Sequence, residues 1–422
     1  MQIYMVGGAV RDMVRNIEPQ DRDFVVVGGT CEEMLAKGFE CVGKDFPVFL
    51  HPKTKEEYAL ARKEIKTGDK HTDFKFVFDA SVTLEEDVVR RDFTCNALVY
   101  DLESAEIIDL VGGKKDIENK IIRHINTEHF VEDPLRVLRM CRFTAQLNFE
   151  IAPETMALAT QMVGQGMLQH LTKERVWQEF CKALCTQHFS KFILAMRACG
   201  ALQELLPEVD RLWQVPEILE YHPEGNSGDH TIMVLEKGEN LLPVVKYALL
   251  MHDIGKSRTP AEVLPHHYMH DSRGANLIDK IGKRLCVPKF FTQTAHMVAL
   301  NHMRFFSVPE MRLGTLRDFV AEITHNFRQM DSLQYLMQVC LCDMLGCQKP
   351  PSAEELAKYL HACEKCVNTY HCLAPLKATD MPRFAELPKD ETFAVHWREF
   401  QIDKLYHSHF FKEKKLRNEC LK

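Results

Sequence analysis

The sequence predicts an α+β chain, a head built on a small sheet followed by an all-helical remainder. Short β-type runs recur from Met1 to about Asp109: Ile3 to Val6, Phe24 to Val27, Phe39 to Val42, Val48 to His51, Tyr58 to Ala61, Ala97 to Tyr100 and Glu106 to Asp109. From Lys114 onward the periodicity turns helical and stays so. At 422 residues the chain exceeds the size at which a single core keeps growing, so two to four domains are expected.

Taken in order, the first run ends in Gly7-Gly8 and passes into Ala9-Val10-Arg11-Asp12, which can start a helix, so backbone amides can approach a phosphate there. Asp21 and Asp23 open the second run. On a strand, residues i and i+2 share a face, so both carboxylates point to one side. Such a pair repels unless a cation sits between them, and oxygen ligands of this kind suit Mg²⁺ carrying a nucleoside triphosphate. A solvated turn with two surface aspartates explains Asp-x-Asp alone equally well; the adjoining glycine turn favours the nucleotide reading. Lys63 to Phe78, rich in Lys, Asp and Gly without periodicity, reads as a mobile loop.

In Arg90-Arg91-Asp92-Phe93-Thr94-Cys95-Asn96-Ala97, two guanidinium groups beside a carboxylate can bind a triphosphate and hydrogen-bond a ribose hydroxyl, or simply form a surface ion-pair cluster. Glu132-Asp133-Pro134 reads as a helix start with Asp133 as N-cap and Pro134 at the first helical position. Asp133, Arg136 and Arg139 follow at steps of three, placing one acceptor and a ladder of donors on one face. Cytosine and adenine both carry an exocyclic amine beside a bare ring nitrogen, whereas uracil and guanine carry a carbonyl beside N–H. An Asp that accepts from the amine and an Arg that donates to the ring nitrogen therefore select C and A together. An N-cap aspartate, equally, needs no ligand.

Further helices are expected over Trp177 to Leu184 and Phe192 to Leu206, then a Pro- and Gly-containing linker from Trp213 to Ser227. A histidine-rich helical domain runs from about His230 to Leu345, and Gln348-Lys349-Pro350-Pro351 breaks the chain after it. Within it His230, His252-Asp253, His270 and His302 have the composition of a metal-dependent phosphohydrolase, in which imidazole and carboxylate hold an ion that activates water. His252-Asp253 alone would read as a helix-end pair. Fifteen cysteines, odd in number and irregularly spaced, fit reduced thiols. Cys363-x-x-Cys366 with His371 and Cys372 lacks a second Cys-x-x-Cys at zinc-ribbon spacing. No apolar run has the length of a membrane span, and the start lacks a basic n-region, so a cytoplasmic protein is expected. A net charge of −7 disfavours indiscriminate nucleic-acid binding and leaves local Arg and Lys clusters to hold a polyanion.

Gly7-Gly8-Ala9-Val10-Arg11-Asp12, Asp21-x-Asp23, Arg90-Arg91-Asp92-Phe93-Thr94-x-Asn96-Ala97 and Glu132-Asp133-x-x-Arg136, in this order, resemble the successive motifs of bacterial class II CCA-adding enzymes, the tRNA nucleotidyltransferases of the polymerase β superfamily. The resemblance extends over roughly Met1 to His302 and includes an HD domain. It implies a polymerase-β-like head (1–112), a helical neck and body holding the base template and tRNA (113–212), an α-helical HD domain (228–345) and a helical tail of unassigned role (346–422). It further implies that Gly8, Arg11, Arg91 and Asp92 bind the nucleotide, that Asp21 and Asp23 hold Mg²⁺, and that Asp133, Arg136 and Arg139 read CTP and ATP. Glu57 is a candidate third carboxylate. The implied partners are tRNA, CTP and ATP, with no membrane, in a monomer or homodimer. In the HD domain the resemblance places Ni²⁺ or another transition metal on His230, His252, Asp253, His270 and His302. Similar bacterial enzymes carry an Asp after His302 where this chain has Met303, so one carboxylate is expected to be missing and the hydrolase weakened. A poly(A) polymerase on the same head, or an HD phosphohydrolase with a merely nucleotide-binding head, are the rival readings.

Overall fold

The computed structural model describes residues 1–19, 21–42, 47–66, 74–77, 80–381, 384 and 391–408. The chain divides into Met1–Leu205 and Leu206–Lys422.

In the first unit β1 (Gln2–Val6), β2 (Asp23–Val27), β3 (Glu40–Cys41), β4 (Val48–Leu50), β5 (Glu57–Leu60), β8 (Val99–Asp101) and β9 (Ile107–Ile108) form a mixed sheet ordered β3-β4-β5-β2-β1-β8-β9. Phe39–Val42, expected as a full strand, contributes only the two residues of β3, and Asp21 lies ahead of β2 rather than in it. Lys63 to Phe78, expected as a loop, instead contributes β6 (Lys63–Lys66) and β7 (Phe74–Val77), an antiparallel pair separate from the main sheet; residues 67–73 and 78 lie outside the described residues. Tyr4 and Val6 of β1, Val25 of β2 and Val99 of β8 bury one sheet face together with Ala61, Val82, Val88 and Ala97 from the segments that adjoin the strands.

Register decides where the polar motifs meet. β1 runs antiparallel to both β2 and β8, with Val6 opposite Asp23 and Val99, while β2 runs parallel to β5 with Asp23 opposite Glu57. The end of β1 and the starts of β2, β5 and β8 therefore lie along one edge. Gly7, at φ 74°, turns the chain there into α1 (Gly8–Val14), a conformation open to glycine and strained for most residues.

Around the sheet come α2 (Cys31–Ala36), α3 (Leu84–Val89), α4 (Gly113–Glu118) and α5 (Thr127–Glu132), then α6 (Leu135–Leu147), α7 (Pro153–Gly164), α8 (Lys173–Leu184), α9 (Phe189–Ala198) and α10 (Ala201–Leu205), with a short parallel pair of β10 (Ile121–Ile122) and β11 (Glu150–Ile151). α6 is buried along most of its length, including Val137, Leu138, Met140 and Cys141, and packs on α8 and α9.

The second unit is helical: α11 (Pro207–Asp210), α12 (Ser227–Lys237), α13 (Pro243–Met251), α14 (His270–Arg284), α15 (Lys289–Phe305), α16 (Leu313–Ile323), α17 (Met330–Leu345), α18 (Ala353–Leu373) and α19 (Glu391–His407). Trp213 to Ser227, expected as a linker, is folded into this unit. Trp213 Nε1 donates to Asp229 at 2.8 Å, and a Cβ on Gly228 would sit 2.4 Å from the Trp213 ring, so that glycine lets the indole lie against α12. The tail beyond Gln348 also packs here, with Arg398 of α19 paired to Asp318 of α16.

Candidate functional site

The sheet edge opens into a cleft of about 1450 Å³ lined by Gly8, Arg11, Asp21, Asp23, Arg91 and Asp92 on the head side and by Asp133, Arg136 and Arg139 on the helical side. Every head residue assigned to nucleotide or Mg²⁺ from sequence thus faces one space. Asp23 is open to solvent, but the cleft walls desolvate its carboxyl and Glu57 and Asp21 add like charge, which together outweigh Arg91 and raise its pKa. Asp21, Asp23 and Glu57 together form an oxygen-donor set that fits a divalent cation. Arg11, 4 % exposed, donates to Asn96 Oδ1 at 2.8 Å and to Asp12 Oδ1 at 2.9 Å, fixing its guanidinium beneath the glycine turn.

Arg90 and Arg91 are organised by a residue the sequence reading passed over. Asp87 has no exposed surface and accepts from Arg91 Nη2 at 2.9 Å, Arg91 Nε at 3.2 Å, Arg90 Nε at 3.1 Å and the Arg62 backbone N–H at 3.3 Å. Burial acts to raise its carboxyl, and the two guanidinium groups outweigh that and hold it below the usual range. Its signal was the i, i+3 and i, i+4 spacing to Arg90 and Arg91 on α3.

Asp133, Arg136 and Arg139 each already have partners in the structure. Asp133 caps the start of α6 as the sequence suggested: its backbone is extended (φ −121°, ψ 102°), its C=O accepts from Arg136 N at 2.9 Å, and Pro134 behind it is already in the helical region (φ −57°, ψ −19°). Its Oδ1 accepts from Leu135 N at 3.1 Å and its Oδ2 from Arg175 Nη2 at 2.8 Å. Arg136 donates to His129 O at 2.6 Å and Arg90 O at 2.8 Å. Arg139 is engaged with Asp92 (Nε to Oδ2 2.8 Å), whose other oxygen takes the Phe93 N–H at 2.9 Å. Burial raises the Asp92 carboxyl, but Arg139 prevails and holds it low. Asp92 thus bridges the head to α6 while lining the cleft.

In the second unit His230 on α12 gathers with His252 and Asp253 at the end of α13, and Asp253 also gathers with His270 opening α14 and His302 on α15; Asp253, His270 and His302 line a cavity of about 820 Å³. Nδ1 of His252, His270 and His302 each faces a backbone carbonyl, of Leu249 (2.7 Å), His267 (2.8 Å) and Ala299 (3.0 Å). Those bonds require Nδ1–H and leave each Nε2 as a bare donor atom turned inward. Asp253 Oδ1 lies 3.3 Å from His270 Nε2 and 3.4 Å from His302 Nε2. His252 Nε2 and Asp253 Oδ1 are buried without a hydrogen-bond partner, the orphaned pair that a cation would satisfy. Gly255 lets the turn after Asp253 press on α14: a Cβ there would lie 1.8 Å from His270 O.

The carboxylate missed at Met303 is present elsewhere. Met303 is 52 % exposed, whereas Asp343 of α17 lies 3.0 Å from His230 Nε2 and 3.6 Å from His252 Nε2. Glu224 orients His230 from behind, Oε1 to Nδ1 at 3.0 Å. Burial lowers the His230 imidazole, but Asp343 and Glu224 carry it up to about 9; burial likewise lowers His252, and Asp253 and Asp343 carry it up to about 10. The protons so favoured are those a divalent cation displaces.

Comparison with known proteins places the chain. The family described as poly A polymerase head domain matches residues 3–123, and that described as probable RNA and SrmB-binding site of polymerase A matches residues 148–212. A multifunctional CCA protein of Acinetobacter baumannii is 44 % identical over 390 residues, covering 90 % of this chain and 92 % of the relative. The chain belongs to the multifunctional CCA protein family. Another family member, from Neisseria meningitidis, is 46 % identical over 349 residues, 82 % of this chain and 83 % of the relative. Solved structures share the fold at 20 % identity: the Bacillus stearothermophilus CCA-adding enzyme in complex with CTP (TM-score 0.62, 100 % of this chain and 95 % of that one) and the Thermotoga maritima CCA-adding enzyme complexed with tRNA (TM-score 0.59, 99 % and 91 %). No helix among the described residues is long and apolar enough to cross a membrane.

Proposed function

We propose that this member of the multifunctional CCA protein family adds and repairs the 3′-terminal CCA of tRNA from CTP and ATP, without a nucleic-acid template. The observation that carries this reading is the convergence of Asp21, Asp23, Arg91, Asp133 and Arg136 around one cleft, with Glu57 opposite Asp23 on the neighbouring strand, phosphate chemistry at one end and base-edge chemistry at the other. The terminal 3′-hydroxyl attacks the α-phosphate, the new O–P bond forms as the bond to the β-phosphate oxygen breaks, and pyrophosphate leaves. Asp21 and Asp23, with Glu57 as third carboxylate, would hold Mg²⁺, which when bound would supply charge to stabilise the attacking and the leaving oxygen. Arg91, braced by Asp87, and Arg11, braced by Asn96, present fixed guanidinium groups to the triphosphate. Asp133 accepts from the exocyclic amine of C or A while an N–H of Arg136 donates to the adjacent ring nitrogen. The protein works in the cytoplasm, where its substrates are. Incubation with truncated tRNA, CTP, ATP and Mg²⁺, followed by sequencing of the 3′ end, tests the reading; a run of A alone selects the poly(A) polymerase instead.

A second activity is favoured by the inward-turned imidazoles. His230, His252, Asp253 and Asp343 would hold a transition metal such as Ni²⁺, with His270 and His302 beside them, and the bound ion would supply the activated water for hydrolysis of phosphoesters, including 2′,3′-cyclic phosphates and small phosphomonoesters. Nitrogen-rich donors prefer Ni²⁺ or Co²⁺ over Mg²⁺, so a divalent-metal series on a cyclic nucleotide separates this activity from nucleotide addition.

A further inference from the structure

The geometry points to Arg175 as the positioning residue of base selection: it holds Asp133 in the pose that reads the exocyclic amine, without touching the base itself. This rests on the reading that Asp133 reads the base. Asp133 sits in extended backbone between two helices, so no helical lattice fixes its side chain. Two contacts do. Oδ1 takes the Leu135 N–H at 3.1 Å and Oδ2 takes Arg175 Nη2 at 2.8 Å, which leaves one further lone pair on each oxygen for a ligand.

Arg175 is itself held in place. It lies in the first turn of α8, capped by Thr172, and four residues on Glu179 makes a buried ion pair with Arg142 of α6 at 2.6 Å. The helix carrying Arg175 is thus fastened to the helix that follows Asp133. The arrangement also keeps charges sorted: Arg139 is taken by Asp92, Arg136 by two carbonyls, and Asp133 by Arg175. With Arg175 gone, the nearest cations left to Asp133 are Arg136 and Arg139, three and six residues along the same segment. A carboxylate turned onto Arg136 would occupy the very donor that the ring nitrogen needs, and acceptor and donor would cease to present a C- or A-shaped pattern. The Asp133–Arg175 pair is partly solvated, with side-chain exposures of 36 % and 46 %, so it orients the carboxylate at little cost in stability when removed.

The test is single-nucleotide addition to truncated tRNA with CTP, ATP, UTP and GTP, for wild type, Arg175→Ala, Arg175→Lys, Asp133→Ala and the double variant. Arg175→Ala is expected to lose about 10-fold in discrimination against UTP and GTP, chiefly through lower kcat for CTP and ATP, part of the range that one well-placed base contact supplies. Arg175→Lys, which keeps a single donor, recovers part of it, and Asp133→Ala/Arg175→Ala discriminates no worse than Asp133→Ala. Discrimination within about 2-fold of wild type in Arg175→Ala overturns the inference, including the case in which KM for tRNA rises and Arg175 proves an RNA contact. So does a double variant less selective than Asp133→Ala. If Asp133→Ala itself keeps full selectivity, base reading and Arg175 fall together; if Asp133→Ala relaxes selectivity and Arg175→Ala does not, only the role of Arg175 falls. Thermal unfolding of each variant identifies any loss due to misfolding, and Arg175→Lys then decides the matter.

Discussion

Replacing Asp87 with Ala strands two guanidinium groups and a backbone N–H at once. Its side chain is fully buried and accepts from Arg62 N, Arg90 and Arg91, so the change leaves buried positive charge uncompensated rather than merely deleting a contact. Removing one partner of a buried pair costs about 3–5 kcal/mol. In a unit of 150–250 residues each kcal/mol shifts Tm by roughly 2–4 °C, giving a fall of about 6–20 °C in the transition of the first unit. That transition is recognised as the one that added CTP raises, since a ligand stabilises only the fold that binds it. KM for both CTP and ATP should rise at least about 10-fold, because Arg91 loses its brace, while preference for C and A over U and G stays intact. Asp87→Asn keeps the shape and isolates the charge. Because burial raises the folded-state carboxyl less than Arg91 and Arg90 lower it, its pKa is depressed. A depressed pKa contributes stability that is fully present above the unfolded value, near about 3.9, and is lost as pH falls through the folded one. The deficit of Asp87→Asn against wild type should therefore be constant at neutral pH and shrink below about pH 4. A change in stability under about 1 kcal/mol with unaltered KM would refute this account of the arginine pair.

Asp21→Ala or Asp23→Ala should lower addition of both C and A by more than about 100-fold, a loss of about 2.7 kcal/mol of transition-state stabilisation, with tRNA affinity by filter binding nearly unchanged. His252→Ala and Asp343→Asn should each abolish hydrolysis of a cyclic nucleotide across a divalent-metal series yet leave Mg²⁺-dependent CCA addition within a few-fold of wild type; loss of addition without unfolding contradicts separate sites. Met303→Asp should leave hydrolysis within about 2-fold of wild type, because Asp343 already provides the carboxylate beside His230 and His252. A clear gain in Met303→Asp would return that role to position 303.

What sequence could reveal here follows the range over which its signals act. β1 and β2 were legible because apolar runs met glycine and carboxylate within a few residues, and the converging motifs were placed on one edge by local strand ends. Lys63 to Phe78 was misjudged because the alternation Phe74-Lys75-Phe76 is short and was outweighed by the Lys, Asp and Gly of the segment as a whole. Asp133 followed by Pro134 was legible as a helix start because the signal is local: the extended backbone of Asp133 and the bond from Leu135 N–H to its carboxylate are those of an N-cap. Asp343 was out of reach for a different reason: 90 residues beyond Asp253, its position is set by how α17 packs on α12, α13 and α15, and no spacing in the chain announces it. Arg175, 42 residues from Asp133, is hidden in the same way.

The hydrogen bond from Arg136 to the Arg90 carbonyl and the ion pair from Arg139 to Asp92 join α6 to the very residues that flank Arg91. On the proposed roles of these residues, the grip on the phosphates and the surface facing the base are two jaws of one caliper. A nucleotide would then be gauged end to end, and a base presented without its triphosphate, or on a longer spacer, is expected to meet the acceptor and donor out of register.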